Sequence, residues 1–222
     1  MPGKTLALIH TSATLVPVFQ QLCRDKLPGV DTFNIVDDSL VRQIGAQGGI
    51  TPAIAARVAA YIGSAASGGA DHILVTCSSI GPAVEAAAPS VKVPVLRVDQ
   101  PMADLAVRTG KRIGVIATLP TTLNPTTDLV RRRAAAAGKS IELTMRLCEG
   151  AFEALMAGHA AEHDSRVRAA LVELSAQVDV IVLAQASMAQ VVATLTPAQR
   201  RIPILASPPL AIEHLATLLP PA

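Results

Sequence analysis

The chain has 222 residues, enough for one large domain or two small lobes with a substantial hydrophobic core. A net charge of +2 and an aromatic content of 2% give no electrostatic or stacking basis for nucleic-acid binding. Every apolar run is broken well short of the ~20 residues of a membrane-spanning helix, and no signal-peptide core is present, which predicts a cytoplasmic protein without a membrane partner.

Short β-branched segments alternate with Ala-rich helical segments along the chain, a pattern typical of βαβ units around parallel sheets. Eight strands are predicted, in two sets of four. The first set is Thr5–His10, Thr32–Val36, His72–Thr76 and Val93–Val98, and the second set is Arg112–Ala117, Ile141–Leu147, Val178–Leu183 and Ile202–Ala206.

The two sets of strands resemble each other in order and in sequence. Leu6-Ala-Leu-Ile-His-Thr11 matches Ile113-Gly-Val-Ile-Ala-Thr118, and Ile73-Leu-Val-Thr-Cys-Ser-Ser-Ile80 matches Ile181-Val-Leu-Ala-Gln-Ala-Ser-Met188. Val93-Pro-Val-Leu96 matches Ile202-Pro-Ile-Leu205, and Asn34-Ile-Val-Asp-Asp-Ser-Leu40 occupies the place of Arg146-Leu-Cys-Glu-Gly-Ala-Phe152. Four matched strands in the same order indicate a duplication.

The duplication predicts an α/β fold of two similar lobes, each with a four-stranded parallel sheet flanked by helices. We expect the lobes to be related by a pseudo-twofold axis with a cleft between them. The first lobe is predicted to span residues 1–100 plus a C-terminal helix over 208–222, and the second lobe residues 101–207. Ligands of open α/β sheets bind beyond the carboxyl ends of the strands, so both sets of strand-end loops should face the cleft.

Cys77 stands at a strand-to-helix turn, directly after an apolar strand and before a predicted helix with Ser78 and Ser79 in its first turn. The positive end of a helix dipole and free backbone N–H groups favour a thiolate there. The alternative is a buried, inert cysteine. The position favours a reactive thiol. Cys23 and Cys148, in contrast, are interpreted as packing residues.

The segment Val75-Thr-Cys-Ser-Ser-Ile80 resembles the first cysteine motif of the aspartate/glutamate/hydantoin racemase family. Arg112-Ile-Gly-Val-Ile-Ala-Thr118, with Thr121, resembles the opening strand and carboxylate-binding turn of that family's second lobe. Maleate isomerases and arylmalonate decarboxylases have a similar layout. The resemblance implies a cofactor-independent enzyme that acts on a small carboxylate-bearing substrate.

The resemblance also implies a second cysteine in the turn that here reads Leu183-Ala-Gln-Ala-Ser-Met188, and Gln185 stands at that position. An amide donates and accepts hydrogen bonds but does not act as a proton acid or base near neutral pH. Some family members racemise with a hydroxyl in place of one thiol, which makes Ser187 a substitute candidate. The catalytic candidates are therefore Cys77, Gln185 and Ser187.

Polar residues at the strand-end turns are predicted to bind the substrate, because hydroxyls and backbone N–H groups converge on an anion there. N-capping is the alternative role for the hydroxyl residues. Asp38 is preferred over Asp37 and Glu149 among the acids near these turns. The predicted substrate-binding residues are His10, Thr11, Ser12, Asp38, Ser78, Ser79, Thr118, Thr121, Thr122 and Ala186.

No metal or cofactor site is predicted. His159 and His163 have i, i+4 spacing beside Glu162 but lack a third ligand, so they are interpreted as a solvated surface. Dinucleotide and nucleotide patterns are absent. The stretch Gly45–Gly49 is interpreted as a flexible loop before Thr51-Pro52, which caps and opens the next helix.

Three functions remain open from the sequence. A racemase or isomerase acting on an amino acid, hydantoin or dicarboxylate leads, followed by a single-cysteine decarboxylase of malonate-type acids. A non-catalytic protein that binds small carboxylates is the alternative of another class, suggested by Gln185. The sequence also leaves homo-oligomerisation open.

Overall fold

A computed structural model describes residues 3–219 of the chain. The described residues divide into two compact units, an N-terminal unit of residues 3–99 with 208–219, and a C-terminal unit, Gln100–Ser207. Each unit contains a four-stranded parallel sheet flanked by helices, as predicted. Within residues 3–219, no helix combines the length and the apolar character needed to cross a membrane.

The sheet of the N-terminal unit has the strand order β2-β1-β3-β4, with all neighbours parallel. Its strands and helices are β1 (Thr5–His10), α1 (Leu15–Lys26), β2 (Asp31–Val36), α2 (Ser39–Gln47), α3 (Pro52–Ser67), β3 (His72–Val75), α4 (Gly81–Ala87), β4 (Val95–Arg97) and α10 (Ser207–Leu218).

The sheet of the C-terminal unit has the equivalent order β6-β5-β7-β8, again with parallel neighbours. Its strands and helices are α5 (Gln100–Thr109), β5 (Arg112–Ala117), α6 (Pro120–Ala136), β6 (Glu142–Leu147), α7 (Ala151–Met156), α8 (Ala160–Ser175), β7 (Val180–Leu183), α9 (Ala189–Ala193) and β8 (Ile204–Ala206). All eight predicted strands are therefore confirmed.

The apolar residues of the central strands explain the layered packing of the N-terminal unit. Alternate residues of a strand point to opposite faces of the sheet. Ala7 and Ile9 of β1 pack against α2, α3 and α4, whereas Leu6 and Leu8 pack with Phe19 of α1 and with α10. Because both faces are covered, β1 is an unbroken apolar segment, as in other buried parallel strands.

One predicted loop is instead helical. The stretch Gly45–Gln47 forms the last turn of α2, and Gly48 ends that helix with φ of 69°, in the left-handed region that glycine accommodates best. The helix exists because Leu40 and Ile44, one turn apart, are both buried in the core. The next helix begins as predicted, with the Thr51 hydroxyl accepting from the Ile54 N–H (3.4 Å) and Pro52 in the first turn.

Candidate active site

The strand order creates a topological switch point at the carboxyl edge of each sheet. In the N-terminal unit, the chain leaves β1 towards β2 on one side, while β3 lies on the other side. Such a switch point is where open α/β sheets bind ligands. The residues that follow β1 and β3 there are Thr11 and Thr76-Cys77, so the topology brings the predicted Cys77 and Thr11 to the same edge.

Cys77 is a half-buried free thiol in extended backbone, with φ of −128° and ψ of 119°. The turn that follows it, Ser78–Ile80, is a 3₁₀ helix, and α4 begins only at Gly81. The predicted helix after Cys77 is therefore present, and Ser78 and Ser79 lie in its first turn, which is a 3₁₀ turn. The tighter turn keeps both serines buried directly beside the thiol residue.

His10, at the end of β1, is fully buried and is held by side chains from two neighbouring strand segments. Its Nδ1 shares a hydrogen bond with Thr76 Oγ1 (2.9 Å), and its Nε2 shares one with Asn34 Oδ1 (2.9 Å). Thr76 Oγ1 also lies 3.1 Å from Ile9 O. Burial lowers the pKa of His10, with the Asn34 hydrogen bond opposing it. The ring is therefore a neutral link between β2 and the residue that precedes Cys77.

The remaining predicted residues of this unit occupy different environments. Thr11 is buried at the edge, and Ser12 is half-buried with its hydroxyl 2.8 Å from Thr14 Oγ1. Asp38 is exposed at the N-cap position of α2, where its side chain makes no capping hydrogen bond.

Asp37, rather than Asp38, is the organised acid at the end of β2. Its carboxylate accepts hydrogen bonds from Tyr61 Oη (2.6 Å) and Ser39 Oγ (2.7 Å) and forms an ion pair with Arg57. Burial favours a higher pKa for Asp37, but these hydrogen bonds and the arginine hold it below its ordinary value. Asp37 thereby ties β2 to α3.

A buried charge network lies beside the Cys77 turn and was missed by the sequence analysis. Arg97, at the end of β4, donates from Nε and Nη2 to both carboxylate oxygens of Asp99 (3.0 and 2.8 Å) and from Nη1 to Glu85 on α4 (2.8 Å). Arg97 and Asp99 are 3% and 0% exposed. Burial would lower the pKa of Arg97, but the two carboxylates raise it above its ordinary value.

The Arg97 guanidinium also lies against the backbone of Gly81, where a Cβ atom would overlap it. The network therefore sets the position at which α4 begins after the Cys77 turn. An arginine and an aspartate at one end of an otherwise apolar strand segment were the sequence signal for it, because charged residues are rarely buried unless they are paired.

The equivalent edge of the C-terminal unit carries Thr118 after β5 and Gln185 after β7. Gln185 has φ of −132° and ψ of 139° and precedes the 3₁₀ turn Ala186–Met188, the same local geometry as at Cys77. Its Oε1 accepts hydrogen bonds from Thr118 N (2.6 Å) and Thr118 Oγ1 (3.0 Å). Two predicted site residues are thus in direct contact.

The other predicted residues of the C-terminal unit lie around these two turns. Thr122 is buried and Thr121 half-buried in the first turns of α6, whose N-cap residue, Leu119, forms no side-chain cap. Ala186 and Ser187 are half-buried in the turn after Gln185. N-capping is therefore not the role of Thr118, which instead binds Gln185.

A profile of the Asp/Glu/hydantoin racemase family matches residues 6–215, nearly the whole chain. The chain belongs to this family. The predicted resemblance is confirmed, and the chain is a racemase-type enzyme. A comparison with curated protein sequences found no match.

Solved racemase structures share the fold of this family member. An allantoin racemase from Klebsiella pneumoniae has a TM-score of 0.72 at 17% identity, over 97% of this chain and 87% of that one. Glutamate racemase isoform RacE1 from Bacillus anthracis has a TM-score of 0.73 at 16% identity, over 99% of this chain and 82% of that one. Picrophilus torridus aspartate racemase has a TM-score of 0.72 at 12% identity, over 98% of this chain and 94% of that one.

The other two cysteines of this racemase-family chain are packed in the two cores. Cys23 lies in the core of the N-terminal unit, and Cys148 in that of the C-terminal unit. Burial raises the pKa of each thiol to about 11. Both environments agree with the predicted packing role.

The histidine pair on α8 differs from its prediction. His159 is exposed, but His163 is fully buried and its Nδ1 lies 2.7 Å from Asp164 Oδ1, so its interpretation as solvated surface is wrong. His163 belongs to the core-facing stripe of α8 together with Val167 and Leu171. No group of three or more metal-ligating side chains occurs among residues 3–219.

Proposed function

We propose that this racemase-family enzyme transfers a proton at the carbon next to the carboxylate or carbonyl group of a small substrate, with Cys77 as the proton-transfer group. The substrate class is an amino acid, a hydantoin or a dicarboxylate. The observation that carries the proposal is the placement of Cys77, a half-buried thiol at the switch point of its sheet.

The chemistry follows from what a thiol offers at this place. Removing a proton next to a carboxylate leaves a planar carbanion or enolate, and a thiolate on one face takes and returns that proton without a cofactor. The charge develops on substrate oxygens, which backbone N–H groups of the turn after Cys77 are suited to stabilise. The Arg97 network holds the start of α4 and so keeps this turn in place.

Gln185 favours a second candidate, a decarboxylase of malonate-type acids. Loss of carbon dioxide leaves the same kind of carbanion, and protonation then needs one acid on one face. Cys77 supplies that acid, while the Gln185 amide does not act as an acid or a base near neutral pH. Both candidates use Cys77 to protonate the carbanion, and they differ in whether a C–H bond, broken by the Cys77 thiolate, or a C–C bond breaks first.

The test is a panel of amino acids, hydantoins, maleate and substituted malonates incubated in deuterated water. Deuterium uptake and carbon dioxide release are followed by NMR, and inversion is followed by optical rotation. We expect turnover of one substrate class by the native enzyme and a loss of about 10²–10⁴-fold in Cys77→Ala. Cys23→Ala, a buried cysteine in the same unit, is the control. Equal turnover by Cys77→Ala would rule out the proposed role.

A further inference from the structure

The side chain of Gln185 is locked in one orientation by Thr118. A backbone N–H needs an acceptor, so the atom 2.6 Å from Thr118 N is the amide oxygen, Oε1. The Thr118 hydroxyl donates to the same oxygen at 3.0 Å. Because the backbone N–H of Thr118 can only donate, the amide cannot flip without leaving that N–H unpaired, and it presents its NH₂ group away from Thr118.

The NH₂ group of Gln185 has no hydrogen-bond partner among the described residues, and the residue is half-buried. Thr118, in contrast, is only 4% exposed, and its two donors are already used. The group available to a ligand at this edge is therefore the amide NH₂, while the donors of Thr118 lie beneath it.

We infer that Gln185 is a substrate-contacting hydrogen-bond donor and that Thr118 is its positioning residue. The NH₂ group binds an sp² oxygen, the carboxylate or carbonyl oxygen on which negative charge develops. This inference rests on the proposed function and assigns to the C-terminal unit anion recognition in place of proton transfer. It also replaces the expected role of Thr118 in binding the substrate carboxylate directly.

The test is a ¹⁵N NMR titration of the native protein with malonate, followed at two groups, the side-chain NH₂ of Gln185 and the backbone N–H of Thr118. Spectra of Gln185→Met and Thr118→Val assign the resonances. We expect the Gln185 NH₂ signals to shift on malonate addition, with the Thr118 N–H nearly unchanged because it stays on Oε1. A dominant shift at Thr118, or no malonate-dependent shift at either group, would overturn the inference.

Affinity measurements on variants distinguish a Gln185 that donates to the ligand from one that only occupies the Thr118 donors. If Gln185 donates to the ligand, Gln185→Met keeps the side-chain length but weakens malonate binding by about tenfold or more. If the amide merely fills the Thr118 donors, the same variant frees them and binds malonate more tightly, which would contradict the inference. Gln190→Met, an exposed glutamine on α9, is the matched control and should bind as the native protein does.

Conservative replacement of Thr118 tests the positioning role. Thr118→Ser retains the hydroxyl and should preserve the malonate-dependent shift of the Gln185 NH₂ signals. Thr118→Val removes the hydrogen bond from the hydroxyl to Oε1 and should reduce that shift. A purely structural threonine would leave that shift unaltered in both variants and would refute positioning. If deuterium exchange into the substrate depends on Cys77 but not on Gln185, the proposed function is supported and only this inference is refuted.

Discussion

Cys77 differs from the other two cysteines in its exposure and its surroundings. Its side chain is half-buried at a strand end, whereas Cys23 and Cys148 are 4% and 5% exposed within apolar clusters. A thiolate is the reactive form of cysteine, and burial away from charge suppresses it. The burial pattern therefore singles out Cys77 as the thiol with access to reagents.

This difference predicts selective alkylation. Brief treatment with iodoacetamide near neutral pH should modify Cys77 at least about tenfold faster than Cys23 or Cys148, since burial raises the pKa of those two thiols to about 11. Peptide mapping by mass spectrometry measures the three rates. Equal labelling of all three cysteines in the folded protein would contradict the assignment.

Gln185 predicts asymmetric proton chemistry at the substrate carbon. Two-base racemisation needs an ionisable group on each face of that carbon, and the amide of Gln185 is not ionisable. The native enzyme should therefore exchange the α-proton mainly of one enantiomer, and Gln185→Cys should strongly raise inversion. Exchange and inversion are measured for each enantiomer in deuterated water. Fast, symmetric inversion by the native enzyme would identify another second acid, with Ser187 the first to replace by alanine.

His10 predicts an acid-dependent loss of stability. Its folded-state pKa is lowered by burial, whereas in the unfolded chain it lies near the ordinary value of about 6.5. Below about pH 6.5 the unfolded chain binds a proton at His10 that the folded chain does not bind. The free energy of unfolding therefore has its full His10 contribution above that pH, and it falls as the pH drops towards the folded-state pKa.

Urea unfolding at a series of pH values between about 5 and 7 measures this effect. His10→Gln should lower stability at neutral pH and flatten the pH dependence. A residual slope remains, because burial also lowers the pKa of His72. An unchanged slope in His10→Gln would show that His10 does not contribute to it.

At the scale of elements, the Arg97 network connects β4, α4 and the turn after Cys77. Isolated buried ion pairs are costly to desolvate, but here the guanidinium is satisfied by two carboxylates and packs on the Gly81 backbone. Removing a partner would leave a buried charge unpaired. The stability of the start of α4 therefore depends on the close contact between the Arg97 guanidinium and Gly81.

Gly81→Ala should destabilise the enzyme by about 2 kcal/mol or more, because the new Cβ displaces the Arg97 guanidinium from its carboxylates. The matched control is Gly63→Ala in α3, where an added Cβ meets no atom within 4 Å. A glycine-to-alanine change inside a helix stabilises by about 0.5–1 kcal/mol. Chemical denaturation of both variants distinguishes them, and a neutral Gly81→Ala would disprove the packing argument.

At the scale of the whole molecule, the two units repeat the same backbone hydrogen bonds. Asp71 N donates to Thr5 O and Asp179 N donates to Arg112 O, both at 2.8 Å. In addition, the carboxylate of Asp71 accepts from Thr5 N (2.8 Å) and that of Asp179 from Arg112 N (2.9 Å). The backbone hydrogen bond lowers the pKa of each aspartate. The duplication therefore extends to an acid that anchors the first strand of each sheet.

This equivalence predicts that Asp71→Asn and Asp179→Asn each lower the free energy of unfolding at neutral pH. Each carboxylate contributes stability above its unfolded pKa, and that contribution is lost as the pH falls through the lower folded-state pKa. The losses should add in the double variant, since the two aspartates share no partners. Denaturant titrations measure this, and a strongly non-additive double variant would contradict independent anchoring.

The sequence by itself determined the α/β class, the eight strands and the duplication. Buried parallel strands are continuous apolar segments, and their order along the chain is visible without coordinates. The same reasoning placed Cys77 and Gln185 at equivalent strand ends, because equivalent strands lead into equivalent turns. The helix after Cys77 was predicted in position, and the structure adds that its first turn is a 3₁₀ turn, a form that is frequent at α-helix N-termini.

Only the tertiary structure decided which polar side chains meet. Thr76 and Asn34 lie far from His10 in the sequence, and parallel pairing of β1 with β2 and β3 brings them to its ring. Packing likewise buried His163, which its polar sequence neighbours had suggested was solvated. The contact of Thr118 with Gln185 spans 67 positions. Local patterns do not encode such contacts, because hydrogen bonds between strands depend on register and on the direction of each side chain.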